Sequence, residues 1–446
     1  MLICATIYRD GTSFAAPGGI KMVAPSSQTS AAKAVSKERT ESTAFEAVGG
    51  WDRRKMVICA SLSQNVVIGS AFGGFGVSLI AMQERFGAGR GIAALGLALA
   101  VLTMSLATPL VATLIHRIGL RATMMAGIAM SGLGYVMLAL APNLIVVLVT
   151  FFGLIGPGIA LAGSLPASLL AGGWYPHARG RAVGIATMPL MVAAVPIIGL
   201  ALISDYGLTA FYAALASLHL VSLPILLAVR DAPAAGPADG NAAVRVDEPA
   251  GAVPILGRGL FWALVLGAGT LNAIGITGVS QIVAVLVERG ISAERAAGLV
   301  ALMGMASIVG APLGGWLADR LGGPRTLALI ACGFSAAWAV IAFVVLPLAL
   351  TPALVVIGLC GAGVFPAVNL ACIDAFGLPR LGKALGLFGV FALPLTFLLP
   401  PGAGLLRDQS QNYLPVMAAI VVCCGLIAVM FLSLYARERL VERFVR

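Results

Sequence analysis

Pro109-Leu-Val-Ala-Thr-Leu-Ile-His116-Arg117-Ile-Gly119-Leu-Arg121 and Pro312-Leu-Gly-Gly-Trp-Leu-Ala-Asp319-Arg320-Leu-Gly322-Gly-Pro-Arg325 are two versions of one segment, set 203 residues apart. A second pair, Gly180-Arg181-Ala-Val-Gly184 and Gly382-Lys383-Ala-Leu-Gly386, repeats at 202 residues. Two separate markers thus share one register, which reads as an internal duplication. Each copy is a small charged island between long apolar stretches.

Composition decides the solvent. The chain is 60% hydrophobic and 10% charged, with a mean hydropathy of +1.01, whereas a water-facing surface needs roughly a quarter charged residues. Apolar runs of about the 20 residues that cross a bilayer lie at 56–82, 91–115, 122–141, 144–171, 182–203 and 208–229, then at 259–285, 296–318, 326–346, 352–373, 384–406 and 413–435. The runs are too long and continuous for barrel strands, which alternate over about ten residues. The expected fold is an all-α membrane protein of twelve transmembrane helices in two six-helix, pseudo-symmetric bundles. Its parts are a disordered tail (1–55), a first bundle (56–229), a linker (230–258), a second bundle (259–435) and a tail (436–446).

Charge sets the orientation. If both termini are cytoplasmic, that face carries 23 of the 28 Lys and Arg, and the other holds Arg85, Arg90, Arg289, Arg295 and Arg407. This is the positive-inside pattern, expected for a multi-pass protein of the plasma (inner) membrane. Trp51, Trp174, Trp262 and Trp316 fall near the cytoplasmic span ends, where an aromatic belt sits. The net charge of +10 follows from topology and anionic lipid, so nucleic acid is not an expected partner.

The polar stretches before residue 56 and from Arg230 to Arg258 are rich in Ala, Pro, Ser and Gly and cannot bury enough apolar surface to fold alone. The first lacks the basic start and apolar core of a signal peptide, and Met1 and Met22 are the alternative translation starts. Cys59, Cys332, Cys360, Cys372, Cys423 and Cys424 lie in or beside spans without a Cys-x-x-Cys pair or a His cluster, so no metal is expected. Gly87-Ala-Gly89-Arg-Gly91 follows no strand and is not a phosphate cradle. No nucleophile, base and orienting acid occur together, so neither an enzyme nor a cofactor is expected.

With twelve spans in two parallel repeats, a central polar linker and Gly315-Trp-Leu-Ala-Asp319-Arg320-Leu-Gly322-Gly-Pro-Arg325 between the eighth and ninth spans, the chain resembles the major facilitator superfamily over residues 56–435. The resemblance implies a cytoplasmic latch in which Asp319, Arg320 and Arg325, around Gly322, hold the outward-open state by charge and helix-end contacts. The first copy matches at Arg117, Gly119 and Arg121, but His116 stands where the family usually has Asp. An imidazole supplies no fixed carboxylate, so an unequal latch is expected. Gly73-Gly-Phe-Gly76, Glu84-Arg85-Phe86-Gly87, Trp174 to Gly184 and Glu288-Arg289-Gly290 resemble the branch that carries monocarboxylates and oxalate or formate. That branch usually binds its anion with a basic residue in the eighth span, and residues 296–318 contain no Lys or Arg.

A charge at mid-bilayer costs roughly 3 kcal/mol or more, and no charged residue falls near the centre of any span. Selection is left to uncharged groups: Gln64, Asn65 and Ser70 in the first span, Ser164 in the fourth, Asn272, Thr277 and Gln281 in the seventh, and Asn369 in the tenth. Interhelical hydrogen bonding is the alternative role for each. Pro157 and Pro394 lie within spans, remove backbone donors and are candidate bending points. His219, near the middle of the sixth span, and Asp374, at the end of the tenth, are candidates for a coupling proton.

The expected function is secondary transport of a small organic solute, organic anions or monocarboxylates first, by a monomer whose partners are the solute, the lipid bilayer and a coupling proton. A transport-inactive sensor or scaffold with the same fold, or an exporter of drug-like hydrophobic compounds, are the alternatives.

Overall fold

The computed structural model describes residues 50–87, 90–231, 254–344 and 347–445, and among these no strand occurs. The helices are α1 (50–86), α2 (Arg90–Ile118), α3 (Leu120–Leu140), α4 (Leu144–Trp174), α5 (179–206), α6 (208–226), α7 (259–288), α8 (Ala293–Leu321), α9 (Gly323–Phe343), α10 (Pro347–Phe376), α11 (Leu381–Ser410) and α12 (Leu414–Val445). The eleven runs long and apolar enough to cross a membrane become twelve because Arg179–Leu226, 48 residues long, holds two. At a rise of about 1.5 Å per residue it spans about twice a bilayer core. Gly207, at φ 81° and ψ 173°, folds it back on itself.

The expected architecture is present: an all-α, multi-pass integral membrane protein of twelve spans. Leu110, Leu140, Ile145, Ile197 and Leu348 are each more than 70% exposed, an apolar surface that water would drive to associate and lipid covers. Both ends of the described chain lie on one face, because the number of crossings is even.

Two boundaries differ from the sequence reading. Residues 50–55, expected in a disordered tail, are the first turns of α1, and α12 runs to Val445 past the expected end at 435. Hydropathy detects the lipid-crossing part of a helix and misses polar turns that extend it. Asp52 in the first turn of α1, 3.7 Å from Lys55, favours such a turn through the helix dipole. Residues 1–49, with Met22, and most of the linker lie outside the described residues.

The repeated segment is a helix, a corner and a second helix in both halves. Gly119 (φ 83°, ψ 162°) and Gly322 (φ 84°, ψ 157°) form the corners, in a region of φ/ψ space that is essentially restricted to glycine. Each half buries its own core: Phe75, Phe151, Tyr135, Phe211 and Tyr212 in the first, Phe261, Phe334, Trp338, Phe376 and Phe431 in the second.

Several spans are interrupted. π turns sit at Gly69–Gly73 in α1, Phe151–Ile155 in α4 and Leu264–Ala268 in α7. Pro157 follows the second of these at the start of Gly156–Ala162, where a missing amide costs least. α4 breaks again at Gly163 (φ −86°, ψ −140°), and α5 breaks between Ala186 and Leu190.

Candidate functional site at the seams between the halves

Contacts between the halves concentrate at the termini-bearing end, along two seams: α5 against α8, and α11 against α2. The two sequence markers turn out to be packing partners of one another. A Cβ on Gly180 would meet the Gly315 carbonyl and lie 2.8 Å from Asp319 Oδ1, and a Cβ on Gly184 would lie 2.8 Å from Pro312 Cα. The other seam repeats this geometry, with Gly382 facing Ala112 Cβ at 2.8 Å and Gly386 facing Pro109 Cα at 2.8 Å. The glycines of each marker allow backbone to lie on backbone. Each half therefore supplies one glycine helix and receives the other.

One seam carries a charged lock. Asp319, at the end of α8, accepts the Gly180 amide on Oδ1 at 2.7 Å and the Arg181 amide on Oδ2 at 2.8 Å. These amides open α5 and have no partner within their own helix; a carboxylate there gains both charge-assisted hydrogen bonds and the helix dipole. Arg320 lies over the Trp316 ring at 4.2 Å, which holds it at the helix end. A pocket of about 220 Å³ beside the lock is lined by His177 and Arg179 from the first half and Asp319 and Asp374 from the second. A neighbouring pocket of about 310 Å³ brings Arg325 to the same Asp374. In the other seam His116 is exposed, as are Arg117 and Arg121, and among the described residues His116 forms no hydrogen bond.

The model of the Major Facilitator Superfamily matches residues 62–401. The chain belongs to the major facilitator superfamily. No curated protein matches it significantly. Among solved structures it is similar to the E. coli fucose:proton symporter FucP (15% identity, TM-score 0.63, covering 84% of this chain and 97% of that one). It is also similar to FucP in the outward conformation (17%, 0.64, 84% and 98%) and to the proton:xylose symporter XylE bound to 6-bromo-6-deoxy-D-glucose (13%, 0.65, 86% and 96%). At these identities the likeness is one of fold.

Within this major facilitator superfamily fold the polar span residues divide into engaged and unengaged groups. Asn65 donates from Nδ2 to the Ser61 carbonyl at 2.9 Å and accepts the Met191 amide on Oδ1 at 3.0 Å, so it caps the interrupted α5. Gln281 donates from Nε2 to the Pro400 carbonyl at 2.9 Å, tying α7 to α11. Thr277 bonds the Ala273 carbonyl of its own helix at 2.8 Å, and Ser164 is half-buried. Gln64 Oε1, Ser70 Oγ and both amide atoms of Asn369 are buried without a hydrogen-bond partner among the described residues. Asn272 is exposed and makes no hydrogen bond to another described residue.

His219 is enclosed between α3 and α6. Its Nδ1 is 2.8 Å from the Leu215 carbonyl, its ring 5.1 Å from that of Tyr135, and its Nε2 is unpartnered among the described residues. Asp374 stands in the seam pocket instead. Pro394 is exposed within the continuous helix α11.

Sequence reasoning missed three structural groups. Ser63 donates to the Ala162 carbonyl at 2.7 Å, a group that Pro166, four residues on and without an N–H, leaves unpaired. Arg85 reaches the Ala141 carbonyl at 3.3 Å and Thr209 Oγ1 at 3.0 Å. Arg289 reaches the Ala342 carbonyl at 2.9 Å, the Val344 carbonyl at 3.2 Å and the Ile341 carbonyl. The two arginines cap α3 and α9 in register with the duplication. Their near-equal offset was a readable signal, as was Pro166 for the freed carbonyl, whereas nothing in the sequence paired that carbonyl with Ser63.

Proposed function

We propose that this protein is a secondary active transporter of a small organic solute and that its halves rock about a central cavity. The observation that carries this reading is the Asp319 lock: a carboxylate from one half on the free amides of a helix in the other, satisfied in one packing and released in another. The distribution of 23 of 28 basic residues supports a cytoplasmic assignment for the locked face, in the plasma (inner) membrane, and the closed conformation is then outward-open.

The substrate-cavity candidates in this reading are Gln64, Ser70, Asn272 and Asn369, whose polar atoms have no protein partner among the described residues. Organic anions such as monocarboxylates are the first class to test, by the resemblance of the short motifs. An uncharged, hydroxylated solute is the second reading. It is favoured by the buried polar side chains, which among the described residues are hydroxyls, amides and one histidine, without Lys or Arg. A coupling proton is assigned in this reading to Asp374, supported by its place beside Asp319, His177, Arg179 and Arg325.

Solute counterflow in proteoliposomes tests the proposal. Accelerated exchange with any member of a panel of carboxylates, sugars, polyols and amphiphilic drugs is the expected result, and its class chooses between the readings. Binding without exchange would instead indicate a sensor, and exchange confined to amphiphiles an exporter of drug-like compounds.

A further inference from the structure

Resting on the alternating-access reading, we propose that the two seams part in sequence, α2–α11 ahead of α5–α8. The seams share one backbone plan, so the order comes from what each adds to it.

Two differences act in the same direction. The first is charge. In the α5–α8 seam both oxygens of Asp319 take amides of the α5 start, at 2.7 and 2.8 Å. The α11 start presents its Gly382 and Gly386 to α2 in the same register, but the position equivalent to Asp319 is His116. A neutral imidazole offers a single weaker acceptor, and a protonated one is repelled by the positive end of a helix dipole. The second difference is closeness. Gly180 and Gly315 oppose backbone to backbone, each blocking a Cβ on the other, whereas Ala112 holds α11 off by a methyl, with the Ala112 Cα 3.6 Å from a Cβ on Gly382. In the α2–α11 seam position 116 thus supplies no carboxylate, and the Ala112 methyl prevents the closest approach.

The consequence is a path. The termini-bearing face opens first between α2 and α11, and release of Asp319 from Gly180 and Arg181 is the later step that completes opening. Restoring a carboxylate at position 116 should equalise the seams.

Pulsed electron–electron spin resonance in lipid nanodiscs tests this. Spin labels are placed through Ile118→Cys with Pro379→Cys for one seam and His177→Cys with Leu321→Cys for the other, in a chain whose Cys4, Cys332 and Cys423 are changed to Ala. The expected result is a long-distance population at the first pair and a single short distance at the second. His116→Asp should shrink that population about twofold to fivefold, the range of one exposed charge at a helix end, and Asp319→Asn should create one at the second pair. Equal lengthening at both pairs, or a first pair unmoved by His116→Asp in a protein that melts normally, overturns the sequence of opening and leaves alternating access standing. Two short distances in all three proteins, with solute exchange absent, overturn the alternating-access reading itself.

Discussion

The Asp319 carboxylate and the Gly180 amide, 139 residues apart in the chain, meet at 2.7 Å across the boundary between the two halves. The contact needs both residue types. A side chain on Gly180 would collide with the Gly315 carbonyl and with Asp319 itself, and an uncharged acceptor would lose the attraction of the helix end.

Asp319→Asn keeps the shape and one acceptor oxygen but removes the charge. The closed packing should weaken by about 1 to 2 kcal/mol, roughly a 5- to 30-fold shift in the conformational equilibrium. The check is the rate at which a membrane-impermeant maleimide labels Leu370→Cys, a position lining the seam pocket. The rate should rise, whereas His116→Ala should leave it and transport near the parent values; equal effects would remove the asymmetry.

Gly315→Ala places a methyl on the Gly180 carbonyl. Overpacking of this kind costs typically 1 to 3 kcal/mol, here charged to the closed packing alone. Transport should fall severalfold, with the maleimide rate raised as above. Ala112→Gly, the reciprocal change in the other seam, should tighten closure and lower that rate.

Asn65→Ala and Asn272→Ala should separate structure from recognition. Loss of Asn65 leaves the Met191 amide without its acceptor, at a cost of about 1 to 3 kcal/mol, and should lower the melting temperature with or without solute. Asn272 is exposed and bonds no other described residue, so Asn272→Ala should melt within about 0.5 kcal/mol of the parent. What it should lose is the stabilisation that a transported solute confers, read in the same thermal-shift experiment.

Arg289→Met removes the donor to three carbonyls at the end of α9 while keeping the apolar stem. A drop of about 2 to 3 kcal/mol is expected from loss of charged hydrogen bonds, seen as a lower melting temperature. Arg85→Met, with two such bonds, should cost less. Arg289→Lys should rescue poorly, because a point charge cannot span the carbonyls that the guanidinium fork reaches.

The candidate site was partly legible in the amino-acid sequence. His116 against Asp319 marked an unequal pair there, because the duplication aligned the two positions. The role of Asn65 did not show: an amide in a span reads the same whether it awaits a solute or caps a helix broken 126 residues later. The same holds for Ser63 and the Ala162 carbonyl, while the tail of α1 before residue 56 was missed because its stabilisation is electrostatic rather than apolar.

By itself the sequence determined the solvent, the twelve spans and the duplication, since the first two depend on transfer energies that add along the chain and the third on matching residues. Tertiary structure decided which glycine marker meets which proline segment, which amides the Asp319 carboxylate meets, and which side-chain amides have no partner among the described residues. Those follow from which backbone groups lose their partners at helix starts and breaks, and from what another part of the chain brings within hydrogen-bonding distance of them. The opening pair of segments therefore encodes two halves of different seams, and only folding shows that each is completed by the other half's glycine helix.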